Sequence, residues 1–389
     1  MSNPDITSAE IDAVMAVLHT SYLSIGPRIA EFEECFAAYV GTRHAIGVSS
    51  GTAGLHLCVI AAGIGERDLL ITTPFSFVAS ANVMLYERAI PIFVDVDDQT
   101  GNIDPTLVAE AAHDLREGGD SARRWLPRSM QGTATQDRRL AGILPVHVFG
   151  QAVEMDPILD VAGRYGLAVI EDACEAVGAD YRGRKVGALG DAAVFAFYPN
   201  KQMTTGEGGM IVTDRDDWDP LFRSLRNQGR DVFDAWLNHT RLGYNYRLDE
   251  MSAALGAIQI QRIDELLAKR ARVAAWYGER LATLDAVEPI GTASRSSRRS
   301  WFVYVVRLAP EVDRADIIAR LEAQGIPSRP YFTPIHLQPF YAERFEYRRG
   351  DFPITEALGD SCLALPFSGV MAEEQVDYVC GHLAQIVAR

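Results

Sequence analysis

A single lysine, Lys201, stands between two apolar runs in FAFYPNKQMTTGEGGMIVTD, residues 195–214. The run before it reads as a buried strand, and so does the run after it. A lysine on the lip of a hydrophobic sheet either snorkels to water or is used as an amine, and one held there can attack a carbonyl. Two further segments place reactive groups at the ends of expected strands, where open α/β sheets hold ligands. In SSGTAGLHL (49–57) a strand gives way to a helix, and the small Gly51, Thr52 and Ala53 leave the first-turn amides bare. That is an anion site backed by the helix dipole. The ordinary alternative is an N-cap by Ser50 or Thr52. In AVIEDACEA (168–176) an apolar strand ends in Glu171 and Asp172. A carboxylate there is costly unless something positive faces it, or unless Asp172 caps a following helix.

An anion cradle, a carboxylate and a nucleophilic lysine are together the requirement of pyridoxal 5′-phosphate. The helix end takes the phosphate, the carboxylate keeps the pyridine nitrogen protonated, and the lysine forms the Schiff base. An aromatic ring should cover the pyridine face, and Phe77, expected on the helix after the second strand, suits that stacking.

The elements that must carry these groups follow from the pattern of apolar residues. Between about residues 45 and 215, short apolar runs alternate with helical stretches: AIGV (45–48), DLLITT (68–73), IPIFVDV (90–96), LAGILPVHV (140–148), GLAVIED (166–172), AAVFAF (192–197) and GMIVTD (209–214). Most are apolar throughout, as in strands covered on both faces, so the expected fold class is α/β with a mostly parallel sheet. Residues 248–284 read as one long bridging helical stretch. A strand at 300–308, a helix at 314–325 and a C-terminal helix then form a small α+β lobe. The expected division is a large domain at 1–247, a bridge at 248–284 and a small domain at 285–389.

The 389-residue chain carries a formal charge of −15, which argues against a nucleic-acid partner. Its one basic stretch, SARRWLPRSMQGTATQDRR (121–139), lacks periodicity and reads as an exposed inserted loop. The five cysteines, never spaced as CxxC, fit free thiols in a reducing compartment and offer no metal site. No basic and apolar leader is visible and no apolar run reaches bilayer length, so a cytoplasmic protein with no membrane association is expected. GEGG (206–209) lies in a strand–turn–strand context, which excludes the dinucleotide fingerprint.

Six segments occur in order: SSGTAGL, TPFSFVASAN, EDACEAVGADYRGRKVGALGD, FYPNKQMTTGEGGMIVTD, RNQGR and GYNYRLDEMSAALG. With SRPYFTPIHLQPFY (328–341), they resemble the DegT/DnrJ/EryC1/StrS family of sugar aminotransferases. The likeness runs from about Tyr22 to the end. It implies the aspartate-aminotransferase-like fold (fold type I) and a homodimer with two active sites at the subunit interface. It also implies transfer of an amino group from an amino acid, glutamate being expected, to a nucleotide-linked ketosugar. By resemblance Lys201 matches the Schiff-base lysine and Asp172 the partner of the pyridine nitrogen. Thr52 and Ala53 match phosphate contacts, Phe77 the stacking aromatic, and Glu175 a residue near the phenolic oxygen. Asn245 matches an asparagine reaching the phosphate in the other subunit's site.

Arg28 and Arg247 are candidates for the sugar nucleotide's diphosphate, with surface ion pairing as the alternative. Tyr331 and His336 lie in a segment that approaches the substrate in relatives, and His336 reads equally well as a packing histidine. Ala196 departs from the family's usual serine and removes one phosphate-binding hydroxyl. EDACEA and TTGEGGM look more like relatives that aminate C4 of a 4-keto-6-deoxyhexose than like those acting at C3. Amination of a 3-keto sugar nucleotide, a cyclitol ketone or an aminobenzoate precursor are the rival activities. A sugar dehydratase would carry histidine in place of Lys201. A cofactor-binding regulator is disfavoured by the intact lysine and the absence of a helix-turn-helix.

Overall fold

The computed structural model describes residues 2–132, 138–231, 238–291 and 297–387. Seven of the expected runs form one sheet: β1 (His44–Val48), β2 (Leu69–Thr72), β3 (Ile90–Phe93), β4 (Leu140–Ile143), β5 (Ala168–Asp172), β6 (Ala192–Ala196) and β7 (Gly209–Thr213). Their order is β1-β7-β6-β5-β4-β2-β3. Only β7 runs against the rest, antiparallel to both β1 and β6. The connection from β6 to β7, residues 197–208, holds the lysine turn and no helix, so the chain returns antiparallel as a wide hairpin.

The runs are apolar throughout because helices cover both faces. Side chains alternate along β6: Ala193 and Phe195 join the core with Phe32, Phe36 and Phe197, while Ala192 and Val194 join the core with Leu55, Leu57 and Ile211. The Pro27–Val40 helix supplies Phe32 and Phe36, and the Gly51–Ala61 helix supplies Leu55 and Leu57.

The C-terminal part is a four-stranded antiparallel sheet with the order Val287–Pro289, Tyr304–Leu308, Cys362–Leu365, Arg329–Pro330. The Arg314–Glu322 and Glu373–Val387 helices add Leu321, Val376 and Leu383 to its core. Among the described residues no helix is long and apolar enough to cross a membrane.

Two expectations need correction. Residues 248–284 form two helices, Glu250–Gln261 and Ile263–Leu281, broken at Arg262. At the break the Arg262 side chain bonds Asp5 at 2.9 Å and Glu10, and also Glu265 three residues on at 3.2 Å. The 121–139 stretch is not a featureless loop in its described part. It includes the end of a short Gly119–Arg123 helix and a turn at Arg128–Met130, while residues 133–137 lie outside the described residues. Its arginines pair with distant carboxylates, Arg128 with Asp351 and Arg139 with Asp68 at 2.6 Å.

Candidate active site

A cavity of about 340 Å³ opens where β5 and β6 end, against the start of the Gly51–Ala61 helix. Gly51, Thr52, Phe77, Asp172, Glu175, Lys201 and Tyr331 all line it. The sheet topology explains the convergence. Strands β5 and β6 are adjacent and parallel, with Asp172 opposite Val194, so their C-terminal ends reach one edge.

Alternation along β5 sends its two carboxylates to opposite sides. Glu171 turns inward, fully buried, and meets His147 Nε2 at 3.0 Å. It also accepts the amides of Gly187, Leu189 and Gly190 at 2.8–2.9 Å. The Val153 amide donates to His147 Nδ1, so the proton of a neutral ring sits on Nε2 and points at Glu171. Burial opposes ionisation of Glu171, but His147 and the glycine amides outweigh it and hold the carboxyl below its usual range. Asp172 turns to the cavity. Its Oδ1 accepts the Cys174 amide at 3.1 Å and its Oδ2 accepts the Ser80 hydroxyl at 2.6 Å.

Lys201 sits in the turn between β6 and β7. Its Nζ lies 4.0 Å from the centre of the Phe302 ring and 3.8 Å from Glu175 Oε1. The backbone is fixed independently of the amine. The Lys201 amide donates to Tyr198 at 2.9 Å, and the buried Arg270 donates to the carbonyls of Lys201 at 2.5 Å and Asn200 at 3.3 Å. The same guanidinium holds the carbonyls of Trp301 and Phe302 at 3.2 and 3.1 Å. Burial without a carboxylate pushes Arg270 down to about 10. The turn closes through Gly208, whose φ of +154° suits glycine, and whose Cβ would lie 2.3 Å from Thr205 Oγ1.

The helix start combines both sequence alternatives. Ser50 is the N-cap, and its Oγ accepts the Ala53 amide at 3.1 Å. Ala53 therefore does not face the cavity, whereas Gly51 and Thr52 do. Gly51 is required for the approach, because a Cβ there would lie 2.7 Å from Cys174 Sγ and 2.9 Å from the Ala196 Cβ. Ala196 lines this same end, so the hydroxyl it lacks would have faced the anion cradle. Phe77 precedes the Ala79–Tyr86 helix rather than lying on it, and is 63% exposed at the cavity wall.

Glu175 is buried with its Oε2 accepting the Phe149 amide at 3.0 Å. Burial, only partly offset by Lys201 and that amide, raises its carboxyl above the usual value of 4.5. A carboxyl raised on folding loses stability for the native state as pH climbs from its unfolded value through its folded one. Glu175→Gln should therefore raise the Tm of the cofactor-free protein at pH 7, with the gain vanishing below about pH 4.5. Thermal denaturation across that range checks this, and a lower Tm at pH 7 would refute it.

Other sequence candidates lie elsewhere. His336 does not reach the cavity. It is buried against Phe352 and Tyr347 with Nε2 2.9 Å from Glu356, and burial holds it below its usual value. Within the protomer Arg28 pairs with Glu31 at 2.7 Å and Arg247 donates to Asn227 at 3.0 Å. Neither lines the cavity, and Asn245 is exposed beside them. Sequence reasoning missed Ser80, His147, Arg270 and Phe302. Ser80 lay within TPFSFVASAN, and His147 lay near the end of the apolar run 140–148, so both carried a local signal. Arg270 and Phe302 carried none.

The arrangement fits pyridoxal phosphate on its own chemistry. A helix N-terminus of small residues, a carboxylate with fixed orientation, an amine at a rigid turn and a ring at the wall face one cavity of suitable size. Comparison with known proteins agrees. Residues 4–384 match the DegT/DnrJ/EryC1/StrS aminotransferase family. The chain is 40% identical to the GDP-perosamine synthase of Caulobacter vibrioides over 387 residues, 99% of this chain and 97% of that one. It is 33% identical to the spore coat polysaccharide biosynthesis protein SpsC of Bacillus subtilis, covering 99% and 96%. The solved structure of S. venezuelae DesV in complex with a ketimine intermediate superposes with a TM-score of 0.86 at 31% identity, covering 98% and 95%. A match of that extent, over a cavity built this way, makes the chain a member of the DegT/DnrJ/EryC1/StrS family and a pyridoxal-phosphate-dependent sugar aminotransferase.

Proposed function

We propose that the enzyme moves an amino group from L-glutamate to C4 of a nucleoside-diphosphate-linked 4-keto-6-deoxyhexose. The observation that carries the reading is the cavity itself, where Lys201, Asp172 and Glu175 converge at the mouth of the anion cradle. Identity of 40% to a GDP-perosamine synthase makes GDP-linked ketosugars the first substrates to try.

Pyridoxal phosphate, when bound, supplies a carbonyl carbon that exchanges amines and a ring that withdraws electrons from the reacting centre. The Gly51–Thr52 turn would hold its phosphate through first-turn amides. Asp172, held by Ser80 and the Cys174 amide, would keep the ring nitrogen protonated. Phe77 would cover the ring. Lys201 Nζ takes the proton from the donor's α carbon in one half-reaction, and in the other delivers a proton to the sugar carbon gaining the amine. Phe302 and Tyr331 keep water from that amine.

Asn245, Arg28 and Arg247 serve the site of a second copy in a homodimer. Two observations support this. The Ser24–Asp249 bridge sets the two segments side by side, and they expose Tyr22, Leu23, Ile25 and Leu242, the last to 83%. Such a patch marks an interaction surface.

The test is a half-reaction. The aminated enzyme is mixed with 4-keto and 3-keto sugar nucleotides and with an inosose, and return of the aldehyde spectrum is followed. The 4-keto sugar should respond. A response to the inosose alone would remove the sugar-nucleotide reading, and a response to the 3-keto sugar alone would remove only the C4 assignment.

A further inference from the structure

His56 is a polar residue in an apolar helix. It lies in the Gly51–Ala61 helix one turn after Thr52, buried with Leu55, Leu57, Cys58 and Val59, and it does not line the cavity. Both of its ring nitrogens are taken by other segments. Nε2 lies 2.8 Å from Glu87 Oε1, at the end of the Ala79–Tyr86 helix, and Nδ1 lies 3.2 Å from the Tyr246 hydroxyl. An ionised carboxylate only accepts, so the proton of a neutral ring sits on Nε2 and Nδ1 accepts from Tyr246. Tyr246 belongs to GYNYR (243–247), an extended segment bridged to Asn227 through Asn245 and to Val48 through Arg247. Side chains alternate along it. Tyr244 and Tyr246 stack with ring centres 5.0 Å apart and meet the His56 ring edge-on at 4.9 and 5.9 Å, whereas Asn245 between them is exposed.

We propose that His56 is a positioning residue for the neighbouring subunit's active site, a role that rests on the shared-site reading of Asn245 and deepens it. Two stacked rings slide over an apolar helix at little cost. A hydroxyl held by a buried ring, itself anchored on Glu87, has one place to be. His56 thereby sets the tyrosine stack and, through the alternation, the Asn245 and Arg247 side chains that the segment lends to the other site. A leucine would fill this part of the core as well. Only a side chain with a donor on one side and an acceptor on the other fixes the hydroxyl. One helix thus serves two sites, with the anion cradle at its own and the lent segment at its neighbour's.

The experiment uses mixed dimers of differently tagged chains, purified through both tags, stripped of cofactor and titrated with pyridoxal phosphate. One chain carries Lys201→Ala, so the visible band reports only the site that keeps Lys201. With His56→Leu on the Lys201→Ala chain, the reporting site receives a displaced Asn245. Its half-saturating cofactor concentration should rise about 5- to 30-fold, the loss expected when a buried hydrogen bond is broken. With His56→Leu on the other chain, the reporting site has an altered helix of its own but a native lent segment, and should bind as the wild type does. The variant should fold, because the Tyr244 and Tyr246 amides donate to Leu225 at 2.7 Å and Arg226 at 2.9 Å without using His56. Tyr246→Phe, which removes only the hydroxyl, should give the same pattern and serves if His56→Leu misfolds. His56→Gln, able to donate to Glu87 and accept from Tyr246, should restore most of the affinity. Weakening confined to the altered chain's own site, equal weakening in both arrangements, or none in either would overturn the assignment. Asn245→Asp in place of His56→Leu separates this from the reading beneath it. If no mixed dimer forms, or if Asn245→Asp also leaves the site unmoved, the shared-site reading fails and takes this role with it. An effect of Asn245→Asp without one of His56→Leu removes His56 alone.

Discussion

Lys201→Ala should abolish transamination while leaving the fold intact. The variant loses the proton carrier, whose contribution alone is typically about 10²- to 10⁴-fold, and the covalent tie to the cofactor as well. A total loss of about 10⁴-fold or more is therefore expected. Folding is preserved because the turn is held by main-chain contacts to Tyr198 and by Arg270, neither of which uses the amine. Borohydride reduction of the wild type should remove its visible band and its activity together, and the tryptic peptide carrying the pyridoxyl group should contain Lys201. A label on another lysine would end the assignment. The same variant probes the homodimer. Mixed with Asn245→Asp, it should recover part of the activity, since one site of each heterodimer holds both native residues. No recovery after verified subunit exchange would count against the shared site and leave Lys201 untouched.

Asp172→Asn should fold, bind cofactor weakly and turn over very slowly. The amide preserves the shape that Ser80 and the Cys174 amide support, so only the charge is removed. A charge-assisted pair is worth about 1.5–3 kcal/mol, or roughly 10- to 150-fold in cofactor affinity. The rate should fall further at saturating cofactor, because a neutral ring is a poor electron sink. A KM for the sugar that stays near wild type while kcat falls would separate this electrostatic role from misplacement. Near-normal turnover would remove Asp172 from the mechanism.

The central strands were legible because each is apolar throughout, which only a sheet covered on both faces requires. Lys201, Asp172 and Thr52 were legible because each breaks such a run at a strand end. Legibility failed where tertiary contacts decide. The helical stretch parts at Arg262, whose side chain meets Asp5 and Glu10, with no glycine or proline to announce it. The Ala53 amide is taken by Ser50, a choice settled only by backbone geometry. His336 is claimed by Glu356, twenty residues on, and nothing in PIHLQPF distinguishes that from a place beside a substrate.

Arg270 joins the lysine turn to the Trp301–Phe302 segment by donating to four main-chain carbonyls, with the Phe367 ring centre 5.6 Å from its guanidinium carbon. Carbonyls are common to every amino acid, so the joint makes no demand on which residues occupy those four positions. Drift in the small lobe can alter what the enzyme accepts without loosening the seat of its amine. One guanidinium thus leaves the chain free to acquire new substrates through substitutions that never disturb the chemistry.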